Sequence, residues 1–174
     1  MRKNQRSECV INQAVELLGD QWTLLVIRDI VFVNRRHFRE LLTQSMEGIA
    51  SNILTDRLRR LVQQGIITRA DDATHKQKAI YSLTEKGIAL VPLLLEMVAW
   101  GHKYLPAATL QGLARALEEG GPAMRAEFMA QLRETHLRAS GTEKRAGRKK
   151  RPAVPPAMRK LQATDEPAPP KSGQ

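Results

Sequence analysis

The sequence predicts a mainly α-helical fold with one small β-hairpin, a C-terminal helical extension and a disordered tail. Apolar residues recur at spacings of three and four through most of residues 10–138, the period of an amphipathic helix. Residues 65–87, GIITRADDATHKQKAIYSLTEKG, break that period with two β-prone runs around a polar stretch. Residues 140–174 are rich in Pro, Ala, Lys and Arg and show no apolar period. One globular domain with an appendage is therefore expected.

Size and charge agree with that organisation. A chain of 174 residues with 42% apolar residues is large enough to bury one substantial core. Residues 1–140 contain 19 Lys and Arg against 15 Asp and Glu, a net charge of +4, whereas residues 141–174 contain 9 against 3, a net charge of +6. The formal charge of +10 is thus concentrated in the tail. It favours a polyanionic partner, nucleic acid before a membrane surface.

Cysteine, histidine and hydropathy patterns exclude several protein classes. The single cysteine, Cys9, rules out an intramolecular disulfide framework, and the four histidines show no metal-ligand spacing. No apolar run approaches the roughly 20 residues of a membrane helix, and the start lacks the apolar core of a signal peptide. We therefore expect a cytoplasmic protein without metal or cofactor.

Three helices are expected before residue 45. CVINQAVELLGDQW has apolar residues at helical spacing and a stop at Gly19. QWTLLVIRDIVFV is apolar almost all round, as in a buried helix, and Arg28 and Asp29 should lie at its edge. NRRHFRELL predicts a short third helix, with Asn34 as its cap.

The fourth helix, ASNILTDRLRRLVQQG, is the most sharply amphipathic. Its apolar stripe consists of Leu54, Leu58, Leu61 and Val62. Its polar side consists of Asn52, Asp56, Arg59 and Gln63. Ser51 or a neighbour should cap the helix, and Gly65 should end it in the left-handed conformation.

After this helix, IITR and AIYSL should pair as a hairpin whose tip is ADDATHKQK. Thr84 should then cap one long helix, IALVPLLLEMVAWGHKYL, in which Pro92 removes one backbone hydrogen bond. Two weaker helical patterns follow, divided by Gly120, Gly121 and Pro122. Three helices, the last of them amphipathic with a polar outer face, are followed at once by a hairpin, which is the order of a winged helix-turn-helix. In that motif a recognition helix enters the major groove and a basic wing touches the backbone or minor groove.

The same segments resemble the HxlR-type family of winged-helix bacterial transcriptional regulators, relatives of the MarR-type regulators. The resemblance runs from Cys9 to Gly101 through LLGDQWTLLVIRDI, RRHFREL, GIASNILTDRLRRLVQQGII and YSLTEKGIAL. Val10 and Val33 depart from the proline and glycine common in the family. The resemblance implies a homodimer on operator DNA, with dimer contacts from the first and last long helices. We expect this domain to span residues 1–106, followed by a helical extension over 107–139 and the disordered tail over 140–174.

Eleven residues are candidates for DNA contact. In the recognition helix they are Ser51, Asn52, Thr55, Arg57, Arg59 and Arg60; in the wing, His75, Lys76 and Lys78; and before the third helix, Arg35 and Arg36. The competing interpretations are a solvated helix face, pairing of the arginines with Asp56, and simple loop solubility. Asp71 and Asp72 would repel phosphate, so only the tip of the wing should approach DNA.

Cys9 is a candidate redox sensor, because the equivalent cysteine senses oxidants or electrophiles in several HxlR-type proteins. A thiolate at a helix start near Arg6 would be favoured electrostatically. The alternative is an idle or buried thiol. A small-molecule effector is a further candidate partner. The sequence contains no glycine-rich phosphate loop, activated nucleophile or acid–base carboxylate pair, so no enzyme is expected.

These observations predict a sequence-specific transcriptional regulator, a repressor rather than an activator, that binds an inverted-repeat operator as a homodimer. One alternative is a nonspecific, architectural nucleic-acid-binding protein driven by the basic tail, in which KRAGRKKR is the DNA arm. Another is a winged-helix adaptor that uses the helix face for a protein partner. Deletion of residues 141–174 separates the first alternative from the regulator, because only the architectural protein would lose nearly all affinity.

Overall fold

The structure is a computed structural model that describes residues 7–72, 75–106 and 111–137, without the side chains of residues 75–78, 111 and 117. The elements in chain order are α1 (Val10–Leu18), α2 (Thr23–Val33), α3 (Phe38–Thr43), α4 (Ser51–Gln63), β1 (Ile67–Asp72), β2 (His75–Leu83), α5 (Glu85–Ile88), α6 (Val91–Tyr104) and α7 (Gln111–His136). The predicted fold, mainly α with one hairpin, is confirmed. The predicted tail, residues 140–174, lies outside the described residues.

Contacts within the chain group it into two units, and the division falls between Leu90 and Val91. The first boundary predicted from the sequence, after residue 106, falls within the second unit and stays a prediction. The first unit contains α1 to α5 and the hairpin, and the second contains α6 and α7.

The core of the first unit forms around α2 and α4. Ile27 and Ile30 of α2 are fully buried, as the apolar character of this helix predicts. The α4 stripe is buried at Leu54, Leu58 and Leu61, whereas Val62 is partly exposed. Since α4 contacts α2, α3 and β1, burial of this stripe fixes which side of α4 remains in solvent.

The junction between α4 and the hairpin is rigidly specified. Gly65 has φ of 66°, and the amide of Ile66 donates to the carbonyl of Leu61 at 3.0 Å, which together end α4 as predicted. The hydroxyl of Thr84 donates to the carbonyl of Gly65 at 2.6 Å. A Cβ on Gly87 would lie 2.3 Å from the carbonyl oxygen of Ile66, so only glycine fits there. The base of the hairpin is therefore anchored directly to the end of α4.

The hairpin is longer than predicted. Its strands pair antiparallel from Ile67 opposite Leu83 to Asp71 opposite Ala79, and the register then shifts so that Asp72 is opposite His75. Most of the stretch expected to form a polar tip is therefore strand. The segment before α3 joins the open edge of β2, where the amide of Tyr81 donates to the carbonyl of Arg36 at 2.8 Å.

The start of α3 differs from the prediction. Asn34 does not cap α3; it ends α2, in the left-handed conformation with φ of 54°. Asparagine tolerates this conformation better than most residues, so it can serve where a glycine would otherwise be needed. The amide of His37 instead donates to the carboxylate of Glu40 at 3.2 Å at the start of α3.

The second unit begins with α6. The expected long helix is interrupted after α5, so Pro92 occupies the first turn of α6, where proline has no hydrogen bond to lose. In α7, Gly121 has φ of 50° and ψ of −145°, which confirms the predicted division into two helical segments. Helices α6 and α7 contact each other, and Arg125 donates to Glu96 at 2.6 Å.

Candidate nucleic-acid interface

The outward face of α4 carries polar side chains in solvent. Five of the expected DNA-contacting residues are exposed on α4: Ser51, Asn52, Thr55, Arg59 and Arg60. The hydroxyl of Thr55 donates to the carbonyl of Ser51 at 2.8 Å, so it remains available as an acceptor. Within the part of the chain that the structure describes, the Asn52 amide makes no hydrogen bond. The buried stripe on the other side of the helix keeps this face directed outward.

Asp56 lies among the arginines of this face and holds two of them. Its carboxylate accepts from Nη2 of Arg59 at 2.6 Å and lies 2.8 Å from Nε of Arg60. The hydrogen bond from Arg59 and the charges of the surrounding arginines lower the pKa of Asp56. The Arg59 and Arg60 side chains remain 65% and 60% exposed, so both can leave Asp56 for another acceptor.

Arg57 is placed differently from the other two arginines of α4. Its side chain is only 17% exposed, and its Nη1 donates to Asp20 at 3.3 Å. Asp20 also accepts from the amides of Trp22 at 2.9 Å and Thr23 at 3.0 Å, so it caps the start of α2. Although partial burial opposes the effect, a hydrogen bond from the Thr23 hydroxyl, the two amide hydrogen bonds and the charge of Arg57 lower the pKa of Asp20. Arg57 therefore ties α4 to α2.

A second network ties α2 to the segments on either side of α3. Nη1 and Nη2 of Arg28 donate to the two oxygens of Glu47 at 2.6 and 2.9 Å, and Nη2 also reaches Asp29 at 2.7 Å. Asp29 also accepts from Arg35 at 3.0 Å. Asp29 is buried, not at the helix edge as expected. Arg35, a candidate phosphate contact, is thus engaged within the fold and only 18% exposed.

The expectation for Arg36 needs correction. Its side chain is buried, with Nε donating to the carbonyl of Tyr81 at 3.1 Å and Nη2 donating to the hydroxyl of Ser82. Burial lowers its pKa, opposed by the charges of Asp72 and Glu40. A guanidinium used in this way holds β2 and is withdrawn from a phosphate backbone.

The wing is also joined to α3 by a histidine. Nε2 of His37 lies 2.8 Å from Asp72 near the end of β1, and its Nδ1 lies 3.2 Å from Glu40. Because Asp72 is engaged by His37, its carboxylate is directed toward the fold. The side chains of the expected wing contacts, His75, Lys76 and Lys78, lie outside the described residues.

The sequence analysis did not identify three side chains of this region. Asp20 had a usable signal, since an aspartate just before an apolar run is a common helix cap. Arg69, exposed on β1, is a cation of the wing that lies outside its polar tip. Glu47 had no signal, because its pairing with Arg28 depends on the tertiary fold.

α1 presents an apolar surface to solvent. Val10, Ile11 and Val15 are 77%, 71% and 57% exposed. Cys9 directly precedes the helix and is also exposed. Arg6, expected to favour its thiolate, lies outside the described residues.

A similar surface occurs on α6. Leu93, Met97, Trp100 and Tyr104 are exposed at spacings of four, three and four residues, the heptad period of a helix that packs against another helix.

Among the described residues, none of the helices combines the length and apolar character that crossing a bilayer requires. In the same residues no three His, Cys, Asp or Glu side chains converge as a metal site would need.

Comparison with known proteins agrees with this geometry. The HxlR-like helix-turn-helix family matches residues 17–109. Rv3095 of Mycobacterium tuberculosis, an uncharacterised HTH-type transcriptional regulator, is 36% identical over 96 residues, 55% of this chain and 59% of Rv3095. YodB of Bacillus subtilis, an HTH-type transcriptional regulator, is 34% identical over 94 residues, 54% of this chain and 82% of YodB.

A solved structure described as a MarR-family transcriptional regulator, from Porphyromonas gingivalis W83, has a TM-score of 0.50 and 28% identity, and covers 60% of this chain and 100% of that one. The chain spans 59% of the length of the mycobacterial relatives that it matches. The matched region contains the buried α2, the α3–α4 pair and the hairpin, and the whole of α7 lies beyond it. On these grounds the chain belongs to the HxlR-like helix-turn-helix family.

Proposed function

We propose that the protein is a transcriptional repressor that binds an inverted-repeat DNA operator as a homodimer and reads it with α4. The observation that carries this proposal is the exposure of the polar face of α4 while its apolar stripe is buried. An α-helix fits the major groove of B-DNA, and only side chains on the outward face can reach base edges.

The exposed residues suit distinct roles on DNA. The Asn52 amide can pair bidentately with adenine, and the Arg59 guanidinium with guanine. Ser51, Thr55 and Arg60 offer hydroxyl and guanidinium groups of the kinds that bind phosphate oxygens. Arg69 of the wing, together with Lys76 and Lys78 as sequence candidates, supplies positive charge next to the hairpin that α4 anchors. Arg35 and Arg57 contribute indirectly, by fixing the elements around α4.

Homodimerisation is supported by the two exposed apolar surfaces, on α1 and on α6. A monomer rarely exposes several large apolar side chains side by side, as α1 does around Ile11 and α6 does around Trp100. A two-fold symmetric dimer presents two copies of α4, and the operator should mirror that symmetry with half-sites about one helical turn apart. Repression is the mode we assign, because a dimer that covers a promoter blocks it without a further contact.

We further propose that Cys9 makes the repressor responsive to oxidants or electrophiles. Cys9 is exposed directly before α1, so a reagent in solution can reach its thiol. The relative YodB has been solved in reduced, quinone-bound and diamide-treated forms. Diamide or quinone treatment should abolish operator binding by the unmodified protein. The Cys9→Ser variant should still bind the operator after the same treatment. Equal sensitivity of both proteins would exclude Cys9 as the sensor.

The main experiment selects bound sequences from a random DNA pool and then compares operator with random DNA. Arg59→Ala should weaken operator binding by about 1–3 kcal/mol and relax the base preference at one position of the operator. Lys76→Ala should weaken all sequences similarly. Arg115→Ala, at an exposed arginine of α7, makes the same charge change and should leave the selected sequence unaltered.

The architectural alternative is tested with the same DNA. A chain without residues 141–174 should keep its operator preference and lose part of its salt-dependent affinity. Loss of nearly all affinity on that deletion, or failure of the full chain to select any sequence, would refute the proposal. Absence of any DNA binding at low salt would favour a protein partner for α4.

A further inference from the structure

We propose that Asp56 determines specificity by holding Arg59 and Arg60 away from DNA that lacks the operator sequence. This inference rests on the proposed function and deepens it. The Asp56 carboxylate is within 2.6 Å of Arg59 and 2.8 Å of Arg60, and both contacts lie within α4. The acidic group therefore restrains the two exposed arginines of α4.

Asp56 lies on the side of α4 that would face DNA. Successive residues of an α-helix are rotated by about 100°, so Asp56 lies about 200° from Leu54 and from Leu58. Both leucines are buried. Asp56 thus lies on the outward side of α4, in the surface that would enter the groove. An anion at this place must face DNA whenever α4 does.

The two arginines differ from Arg57 in what they can do. Arg57 is 17% exposed and held by Asp20, so it stays within the fold. Arg59 and Arg60 are exposed, and their ion pairs with Asp56 are surface pairs that are individually weak. Exchange of Asp56 for an acceptor on DNA is therefore feasible for these two side chains.

The consequence of that exchange depends on the sequence of the DNA. On random DNA, moving both guanidiniums to phosphates costs the Asp56 carboxylate its two close ion pairs near the polyanion, although it keeps a 3.8 Å contact to Arg57, and this loss opposes binding. On the operator, guanine can accept bidentately from Arg59, and a cytosine amino group can donate to the freed carboxylate. The unfavourable contribution is thus common to all sequences and is offset only at matched ones.

The test is Asp56→Asn, which keeps the size of the side chain and removes its charge. Loss of two surface ion pairs should raise affinity for random duplex DNA by about 3- to 30-fold and steepen the log–log salt slope by about 1 to 2. Operator affinity should change by less than about threefold, so the ratio of operator to random affinity should fall. Asp56→Glu, which keeps the charge, should retain the low affinity for random DNA.

Glu118→Gln is the matched control, because it makes the same change of net charge at an exposed residue of α7. The inference is overturned if Asp56→Asn leaves random binding unchanged, raises operator and random binding by the same factor, or behaves like Glu118→Gln. A lower affinity of Asp56→Asn for both DNAs, with an unchanged thermal melt, also overturns it. If the unmodified protein prefers no sequence, the proposed function itself fails, which is a distinct result.

Discussion

Arg36 is the candidate DNA contact that the structure reassigns most clearly, and its replacement tests that reassignment. Arg36→Met keeps the unbranched apolar stem but removes the guanidinium that donates to the Tyr81 carbonyl and the Ser82 hydroxyl. Because the arginine is only 9% exposed, water cannot freely take the place of these donors. The variant should therefore be destabilised even when no DNA is present.

The magnitude follows from two hydrogen bonds made by a charged donor. Each is worth about 1.5–3 kcal/mol, and removal of a charge whose burial was unfavourable recovers part of that loss. A net loss of about 2–4 kcal/mol remains. With an m-value of about 2 kcal/mol/M, the urea midpoint should fall by about 1–2 M.

The assay is urea unfolding followed by tryptophan fluorescence, with Arg59→Met as the matched control. The Arg59 side chain is 65% exposed, so its replacement should change the free energy of unfolding by less than about 0.5 kcal/mol. Equal stability of the two variants, combined with a specific DNA defect in Arg36→Met, would return Arg36 to the DNA surface and refute the reasoning.

Three further predictions use other parts of the fold. Gly87→Ala should destabilise the fold by about 1–3 kcal/mol or more, because the added Cβ would lie 2.3 Å from the carbonyl oxygen of Ile66. Gly101→Ala is the control, because its added Cβ would have its nearest neighbour 3.8 Å away, and it should be neutral or slightly stabilising in thermal melts. Hydrogen bonding to its arginine partner on α2 lowers the pKa of Glu47 below the usual 4.5, so the stabilising contribution of Glu47 is present above that pH and lost as pH falls through the lower folded value. The difference in urea midpoint between the unmodified protein and Glu47→Gln should accordingly be present at pH 7 and shrink below about pH 4, and a constant difference would contradict the pairing. Trp100→Glu, on the exposed α6 surface, should shift sedimentation toward a monomer and weaken operator binding at low protein concentration.

The order and type of the elements were predictable because apolar periodicity reports the buried side of each element. α4 illustrates this best, since its three buried leucines define the face that remains in solvent. Gly65 was predictable for a similarly local reason, because a residue after a helix that needs positive φ is most often glycine. Asn34 was misassigned, since asparagine is equally suited to begin one helix or to end another.

The roles of the arginines could not be predicted from their own positions. Arg35 and Arg36 are adjacent, yet one pairs with Asp29 of α2 and the other with β2, and both partners are fixed only when the chain folds. In α4, helical phase distinguishes Arg57 from Arg59, but the identity of the acidic partner does not follow from phase. The partner of a side chain can therefore be identified only from the structure when that partner is brought close by the tertiary fold.

Fixed and movable arginines together would let α4 of the proposed repressor be rigidly placed and still discriminate between DNA sequences. The Asp20–Arg57 pair joins α4 to the start of the buried α2, and the α4 apolar stripe opposes rotation of the helix. The backbone from which the Asn52 and Arg59 side chains extend is therefore set before any DNA is bound. A preorganised surface loses less entropy on binding than one that must be ordered. If this division holds, Arg57→Ala should lower thermal stability together with operator affinity, whereas Arg59→Ala should lower operator affinity alone. A melt of Arg57→Ala that matches the unmodified protein would show that the Asp20 contact does not fix α4.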